Sequence, residues 1–195
     1  MIFIYLGIIA FIFMLLYDFY TLRNERRKKS FFGIIGLILF ICSAIMLIVF
    51  STKIIFPMPI VIVALLVSII SCFLLAYSLF LELPFTKTYA NEKHNDGLVV
   101  TGTYALCRHP GVIWFGILFV SLLFLTGAIL LIPATIIWTS ADILYVYIQE
   151  KYIFPRMFND YDAYIKATPM IIPDRQSIIK CKNTIFKGWL INDKT

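Results

Sequence analysis

Residues 112–148 read VIWFGILFVSLLFLTGAILLIPATIIWTSADILYVYI and form the longest nearly uncharged part of the second half of the chain. It contains two apolar runs, at about 112–125 and 128–148, that are joined by little more than Thr126-Gly127. A connection this short predicts a tight helical hairpin. Asp142 is the only charged residue within the hairpin. The hairpin is therefore suited to the interior of a bilayer.

The composition predicts an integral membrane protein. The chain has 195 residues, of which 61% are hydrophobic and 14% are charged, and its mean hydropathy is +0.91. A soluble fold of this length could not bury so much apolar surface. Three further runs, at about 2–18, 31–51 and 59–81, approach the roughly 20 apolar residues that a bilayer requires. We therefore expect an all-α integral membrane protein with about five transmembrane helices and a cytosolic cap.

The basic residues predict the orientation. All of them except Lys53 fall in the loop 21–30, in the segment 82–110 or after residue 149. The positive-inside rule makes these regions cytoplasmic, so we expect the N-terminus outside and the C-terminus inside. The net charge of +6 then follows from topology and from attraction to anionic headgroups, and it predicts no nucleic-acid partner.

The ends of the chain and its cysteines give weaker signals. Met1-Ile2-Phe3-Ile4 lacks a basic region, and no small-residue cleavage site follows, so we expect the first run to be retained as a span. The four cysteines lie inside spans or on the reducing side, and their spacing fits no metal site. We expect structural thiols at Cys42, Cys72, Cys107 and Cys181.

The chain divides into three predicted parts. Residues 1–82 form a three-span membrane part, and residues 83–173 combine a cytosolic connection, the hairpin and a C-terminal cap helix. Pro155 is expected to break or bend the stretch that follows the last span. Residues 174–195 form a basic-apolar tail that either lies on the bilayer surface or is disordered. His94, in the polar loop 91–97, is either a surface residue or a substrate contact.

The segment Gly102–Pro110, GTYALCRHP, stands directly before the hairpin. Proline disfavours helix in the residue before it, so His109 should be non-helical, whereas Pro110 suits the first turn of the next helix. Arg108 and His109 then form a cationic pair at a helix N-terminus, where backbone N–H groups point outward. Such an arrangement is suited to binding an anionic group at the membrane surface.

Two groups of residues follow a recognisable order on either side of the hairpin: Leu98-Val99-x-x-Gly102-x-Tyr104-x-x-x-Arg108-His109-Pro110 before it, and Glu150, Phe158-x-x-Tyr161-x-x-Tyr164 and Ile172-Pro173 after it. This order resembles the isoprenylcysteine carboxyl methyltransferase family, whose superfamily includes membrane phospholipid and thiol methyltransferases. The resemblance covers roughly residues 98–173. It implies a pocket for S-adenosylmethionine, built from the cytosolic loops and the C-terminal helix and open sideways to lipid.

The resemblance, together with side-chain chemistry, assigns roles to individual residues. Arg108 is suited to clamping the methionyl carboxylate through a forked pair of hydrogen bonds, and Glu150 to facing the ammonium, the ribose hydroxyls or a substrate headgroup. The remaining cofactor-binding candidates are Gly102, Tyr104, His109 and Pro110. The alternative interpretations are a topology anchor for Arg108, a helix cap for His109 and a solvated residue for Glu150.

Two positions depart from the family pattern. Val112 stands where the family usually has a tyrosine, and Trp114 is a possible replacement for its ring. Gln149-Glu150 stands where the family commonly has two glutamates. Either change could mean a different acceptor, weaker cofactor binding or a non-catalytic relative.

Asp142 is a candidate on physical grounds rather than by resemblance. A carboxylate inside a span usually faces a cavity or a partner, because exposure to lipid is costly. Asp142, Val146 and Glu150 recur at i, i+4 and i+8 and share a helix face, which Tyr145 and Gln149 border. This face either lines the pocket, with Asp142 near the reacting end, or Asp142 bonds to a neighbouring hydroxyl or helix.

The sequence thus predicts a membrane methyltransferase that uses S-adenosylmethionine on a lipid or other hydrophobic acceptor at the cytoplasmic face. One alternative is a catalytically altered relative, reductase-like or cofactor-binding only. Another is a non-enzymatic small membrane subunit. Transport is disfavoured because Asp142 is the one charge clearly inside a span and no inverted repeat is present. The residues name neither the methyl acceptor nor an oligomeric state.

Overall fold

The computed structural model describes residues 1–82 and 98–184, and every regular element within these ranges is helical. The predicted all-α membrane fold is therefore confirmed. The predicted polar loop with His94, the boundary after residue 82 and the tail beyond residue 184 lie outside the described residues.

The described residues contain nine α-helical segments and two π-helical turns. The α-helices are α1 Ile2–Leu22, α2 Arg26–Val49, α3 Met58–Ala76, α4 Thr103–Leu106, α5 Pro110–Thr126, α6 Leu131–Ile148, α7 Phe154–Met157, α8 Tyr161–Ala167 and α9 Arg175–Thr184. The first π turn, Tyr77–Glu82, continues α3, and the second π turn, Gln149–Ile153, joins α6 to α7. Among the described residues, four helical stretches are long and apolar enough to cross a membrane, and α5 is a shorter apolar helix of 17 residues.

The first connection is shorter than the sequence predicts. The basic run Arg26–Lys29, expected in a loop, forms the first turn of α2 instead. The turn is compressed because Asn24 takes a left-handed backbone conformation at φ 54°, which asparagine tolerates better than most residues. Lysine and arginine side chains can lie along an apolar helix while their charged ends reach the interface, so α2 can begin within the basic run.

The stretch after α6 does not break at Pro155. It continues to Met157, with the second π turn directly before α7. Proline cannot donate the backbone hydrogen bond that the carbonyl of Lys151 would receive in an α-helix. A wider turn at this point changes the backbone pairing, and the helical stretch continues past the proline.

The chain divides into two compact units. The first comprises residues 1–72 and 115–153, and the second residues 73–114 and 154–195. In the first unit, α1 packs against α2 and α6. The fully buried Trp138 of α6 donates a hydrogen bond from Nε1 to the carbonyl of Ile4 at 3.0 Å. Gly7 is required beside it, since a Cβ there would overlap the indole ring.

The predicted hairpin is present in the first unit. Gly127 turns the chain between α5 and α6 at φ +67°, and the ring of Phe119 on α5 lies 5.2 Å from that of Trp138 on α6. The turn also pairs with the loop between α2 and α3. Ile54 N–H donates to the carbonyl of Gly127 at 2.8 Å, and Ile129 N–H donates to that of Thr52 at 3.1 Å.

Candidate functional site

Arg108 connects the two groups of motif residues within the second unit. Its Nη1 atom donates to the carbonyl of Ile165 at 3.0 Å and to that of Thr168, and its backbone N–H donates to Pro169 at 2.9 Å. These carbonyls lie at the C-terminal end of α8, which carries partial negative charge that a buried guanidinium stabilises. The side chain thus holds the cap segment, and the clamp on a methionyl carboxylate stays a prediction.

His109 lies at the same junction. It is buried and non-helical, and Pro110 begins α5 directly after it, as predicted. Its N–H donates to the carbonyl of Met170 at 3.1 Å. Its imidazole stacks on Phe154, with ring centroids 5.9 Å apart and an interplanar angle of 17°. The backbone N–H groups of Arg108 and His109 thus donate to the carbonyls of two consecutive residues, Pro169 and Met170. These bonds place the Arg-His-Pro motif beside the predicted cap.

An aromatic cluster surrounds Phe154, the ring on which His109 stacks. The ring of Phe154 lies 5.3 Å from that of Tyr161 and 5.9 Å from that of Phe158, and Tyr161 and Tyr164 are 6.0 Å apart. The family-like spacing of Phe158, Tyr161 and Tyr164 thus corresponds to one packed group of rings. Aromatic faces of this kind can receive a planar base by stacking.

Glycine is required at position 102 for a steric reason that the sequence did not indicate. It adopts φ +60° and ψ −131°, and a Cβ at this position would overlap the Glu82 carboxylate. That carboxylate accepts a hydrogen bond from Thr103 N–H at 2.7 Å and a short one from the Thr103 hydroxyl. Thr184 Oγ1 accepts the Gly102 N–H at 3.0 Å. The Glu82 carboxylate thus lies close to Gly102 and caps α4, and a role for Gly102 in cofactor binding stays a prediction.

Tyr104 is held at both its hydroxyl and its carbonyl. The hydroxyl donates to the carbonyl of Ser78 at 3.0 Å, and the carbonyl accepts the hydroxyl of Tyr164 at 2.6 Å. Burial raises the pKa of both phenols. Tyr104 therefore links the first π turn to α8, and packing on adenine is a further prediction for its ring.

Cys107 is a buried free thiol, and its structural role stays a prediction. It has no exposed surface, and burial raises its pKa to about 11. Its extended backbone carries the chain from α4 to Arg108.

Trp114 provides an unsatisfied donor in the second unit. Its Nε1 atom is buried and has no hydrogen-bond partner in residues 1–82 and 98–184. Buried indole N–H groups normally have a partner, so this donor fits a bound polar group. Val112, which replaces the family tyrosine, is itself buried.

Asp18 is the residue that sequence reasoning missed. It is 2% exposed within α1, and its Oδ2 atom accepts the Tyr145 hydroxyl at 2.7 Å and Gln149 Nε2 at 2.8 Å. The statement that Asp142 is the only interior charge was therefore wrong. The expected span ended at residue 18, but α1 continues to Leu22, and the apolar character of Phe19, Tyr20 and Leu22 was the signal for this.

The predicted stripe on α6 is only partly present. Tyr145 and Gln149, which border that helix face, bind Asp18, and a pocket along the face stays a prediction. Asp142 is half-buried, and within the described ranges it has no hydrogen-bond or ion-pair partner. Glu150 is half-buried too, but it lies in the second π turn, so its i+8 relation to Asp142 does not follow α-helical spacing. Thr135 and Thr139, on the Asp142 face, also have buried hydroxyls without a partner in the described chain.

The predicted site residues are divided between the two units. Gly102, Tyr104, Arg108, His109 and Pro110 belong to the second unit and are joined by the contacts above. Asp142 and Glu150 belong to the first unit. Within residues 1–82 and 98–184, no group of three or more His, Cys, Asp or Glu residues is placed to hold a metal ion.

Comparison with known proteins gives one distant relative. The chain is 31% identical over 98 residues to the nickel-cobalt-cadmium resistance protein NccN of Alcaligenes xylosoxydans xylosoxydans, across 49% of this chain and 45% of the relative. The aligned region thus spans less than half the length of that relative. No family model and no solved structure matches the chain.

Proposed function

We propose that this protein is a membrane methyltransferase that uses S-adenosylmethionine to methylate a lipid or other hydrophobic acceptor at the cytoplasmic membrane face. The observation that carries the proposal is the junction of Arg108 and His109 with the segment after α8, because it joins the two groups of residues on which the family resemblance rests. The basic residues favour the cytoplasmic side by the positive-inside rule.

The second unit has chemical features that suit the cofactor. His109 and the rings of Phe154 and Tyr161 would hold the adenine, and the unsatisfied Trp114 N–H would donate to a polar group of the cofactor. When bound, S-adenosylmethionine supplies an activated methyl group on a cationic sulfur. Methyl transfer requires alignment and exclusion of water more than acid–base catalysis, and buried side chains on helices provide both.

Binding of S-adenosylhomocysteine to nanodisc-held protein tests this proposal by calorimetry. We expect saturable binding that His109→Ala weakens at least tenfold and Trp114→Phe about threefold to tenfold, since each removes a direct contact. The chain offers one matched control, because its only other histidine is His94. His94→Ala should bind like the wild type. Folded wild-type protein that binds no S-adenosylhomocysteine would contradict the proposal.

A role in metal-cation resistance is a second candidate, which the NccN similarity favours. It is tested by growth of a metal-sensitive bacterial host in nickel, cobalt and cadmium salts, with and without this protein. Protection that depends on His109 would join this role to the methyltransferase site. Protection that survives His109→Ala would separate the two functions.

A further inference from the structure

We infer that Asp18 is a positioning residue for Glu150: the carboxylate on α1 fixes where the second π turn begins, and this turn sets the direction of the Glu150 side chain. The inference rests on the proposed function, because the direction of Glu150 matters to catalysis only if the protein binds the cofactor. Asp18 lies outside the family resemblance, which covers residues 98–173.

The contact is strong and specific. One oxygen of the buried carboxylate accepts two hydrogen bonds, from Tyr145 at 2.7 Å and from Gln149 at 2.8 Å. The two donors stand four residues apart, so they share one helix face. Bonds to an ionised acceptor are about twice as strong as neutral ones, and a buried carboxylate that loses its donors is costly. α1 also packs directly against the second π turn.

The contact lies at the first residue of the π turn, where it affects the direction of the side chains that follow. Gln149 is the first residue of the π turn, and Glu150 follows it. A π turn holds one more residue per hydrogen-bonded ring than an α-helix, so starting it one residue earlier or later would rotate the following side chain by up to about 100°. Pinning Gln149 to α1 therefore defines the direction in which Glu150 projects.

The same contact explains why residue 149 is glutamine. The amide Nε2 donates to Asp18, whereas a glutamate here would place a second carboxylate against the first in a buried site. Two like charges at this distance repel strongly, and one would have to take up a proton. Gln149 is thus the partner that Asp18 requires, and the departure from the family's paired glutamates is compensated within the first unit.

Two substitutions at Asp18 separate positioning from plain stability. Asp18→Asn keeps a single oxygen that can accept both bonds, so its affinity for S-adenosylhomocysteine should stay within threefold of wild type. Asp18→Leu removes the acceptor and should weaken binding at least tenfold. Trp138→Phe is the matched control, since it deletes another buried hydrogen bond between α1 and α6. It should lower the melting temperature without changing affinity.

A second pair of variants protects the test against misfolding of Asp18→Leu. Gln149→Glu alone should weaken binding, and adding Asp18→Asn should restore it, because the asparagine amide then donates to the new carboxylate. Three results would overturn the inference: wild-type affinity in Asp18→Leu, an equal affinity loss in Trp138→Phe, or no restoration in the double variant.

A third measurement distinguishes this inference from the proposed function. In a chain whose native cysteines are replaced by alanine, Glu150→Cys is labelled with a methanethiosulfonate reagent, with and without Asp18→Leu. A labelling rate that changes at least fivefold supports positioning of residue 150 even if the wild type binds no S-adenosylhomocysteine. An unchanged rate in folded protein would refute positioning even if the wild type binds the compound.

Discussion

Replacing Arg108 with alanine should open the segment after α8. The guanidinium donates to the carbonyls of Ile165 and Thr168, and a hydrogen bond from a charged donor contributes about 1.5–3 kcal/mol. The two bonds share one nitrogen, so their contributions are not additive, and we expect a loss of about 3 kcal/mol. The backbone bond from residue 108 to Pro169 remains in the variant, so the loss should be local.

The neighbouring Cys107 reports this opening directly. It is fully buried, and its raised pKa keeps it protonated at neutral pH, so a thiol reagent reacts with it only when the segment opens. With Cys42, Cys72 and Cys181 replaced by alanine, Cys107 is the sole thiol. A loss of about 3 kcal/mol corresponds to labelling that is roughly a hundred times faster than in the parent.

Arg108→Lys is the matched variant for this measurement. It keeps the charge but has a single ammonium group instead of the planar guanidinium, so its labelling rate should lie between those of the parent and the alanine variant. A rate in Arg108→Ala within threefold of the parent would refute the reasoning, because the two carbonyl contacts would then contribute little to holding the cap.

Gly102→Ala should lower the unfolding free energy by about 3 kcal/mol, because the backbone is left-handed in φ and a Cβ overlaps the Glu82 carboxylate; an unchanged melting temperature would contradict this. Burial raises the pKa of Cys107 to about 11, so as the pH rises above about 9 the unfolded chain loses its thiol proton first. Stability should therefore fall between pH 9 and 11, and Cys107→Ser should remove that part of the decline in melting temperature. Asp142→Asn should be at least as stable as the wild type, because the half-buried carboxylate has no partner in the described chain and its charge is costly in a bilayer; a clear fall in melting temperature would reveal a partner.

Local signals in the sequence located the elements around the candidate site. Pro110 predicted the start of α5, because proline fixes its own φ at a helical value, and Thr126-Gly127 predicted the hairpin turn, because glycine tolerates a left-handed backbone. These predictions depend on residues a few positions apart.

Contacts between distant residues could not be predicted in the same way. Asp18 meets Gln149 across 131 positions, and no local pattern marks that pair. The reason for Gly102 is equally remote, since it is the Glu82 carboxylate that excludes a side chain. Pro155 suggested a break, but the wide turn before it lets the helix continue. Sequence patterns therefore gave the candidate residues, whereas their partners came from the fold.

The backbone pairing of residues 52–54 with residues 127–129 also constrains the number of times that the chain crosses the membrane between them. Backbone segments joined in this way belong to one face of the bilayer, because exposed irregular backbone is not tolerated in hydrocarbon. We therefore expect the chain to cross an even number of times between them, with α5 as the return path for α3. At 1.5 Å per residue, its 17 residues span only about 25 Å, less than the roughly 30 Å of a typical hydrocarbon core. The bilayer should therefore be thinned beside α5, and lipids with shorter acyl chains should stabilise the protein.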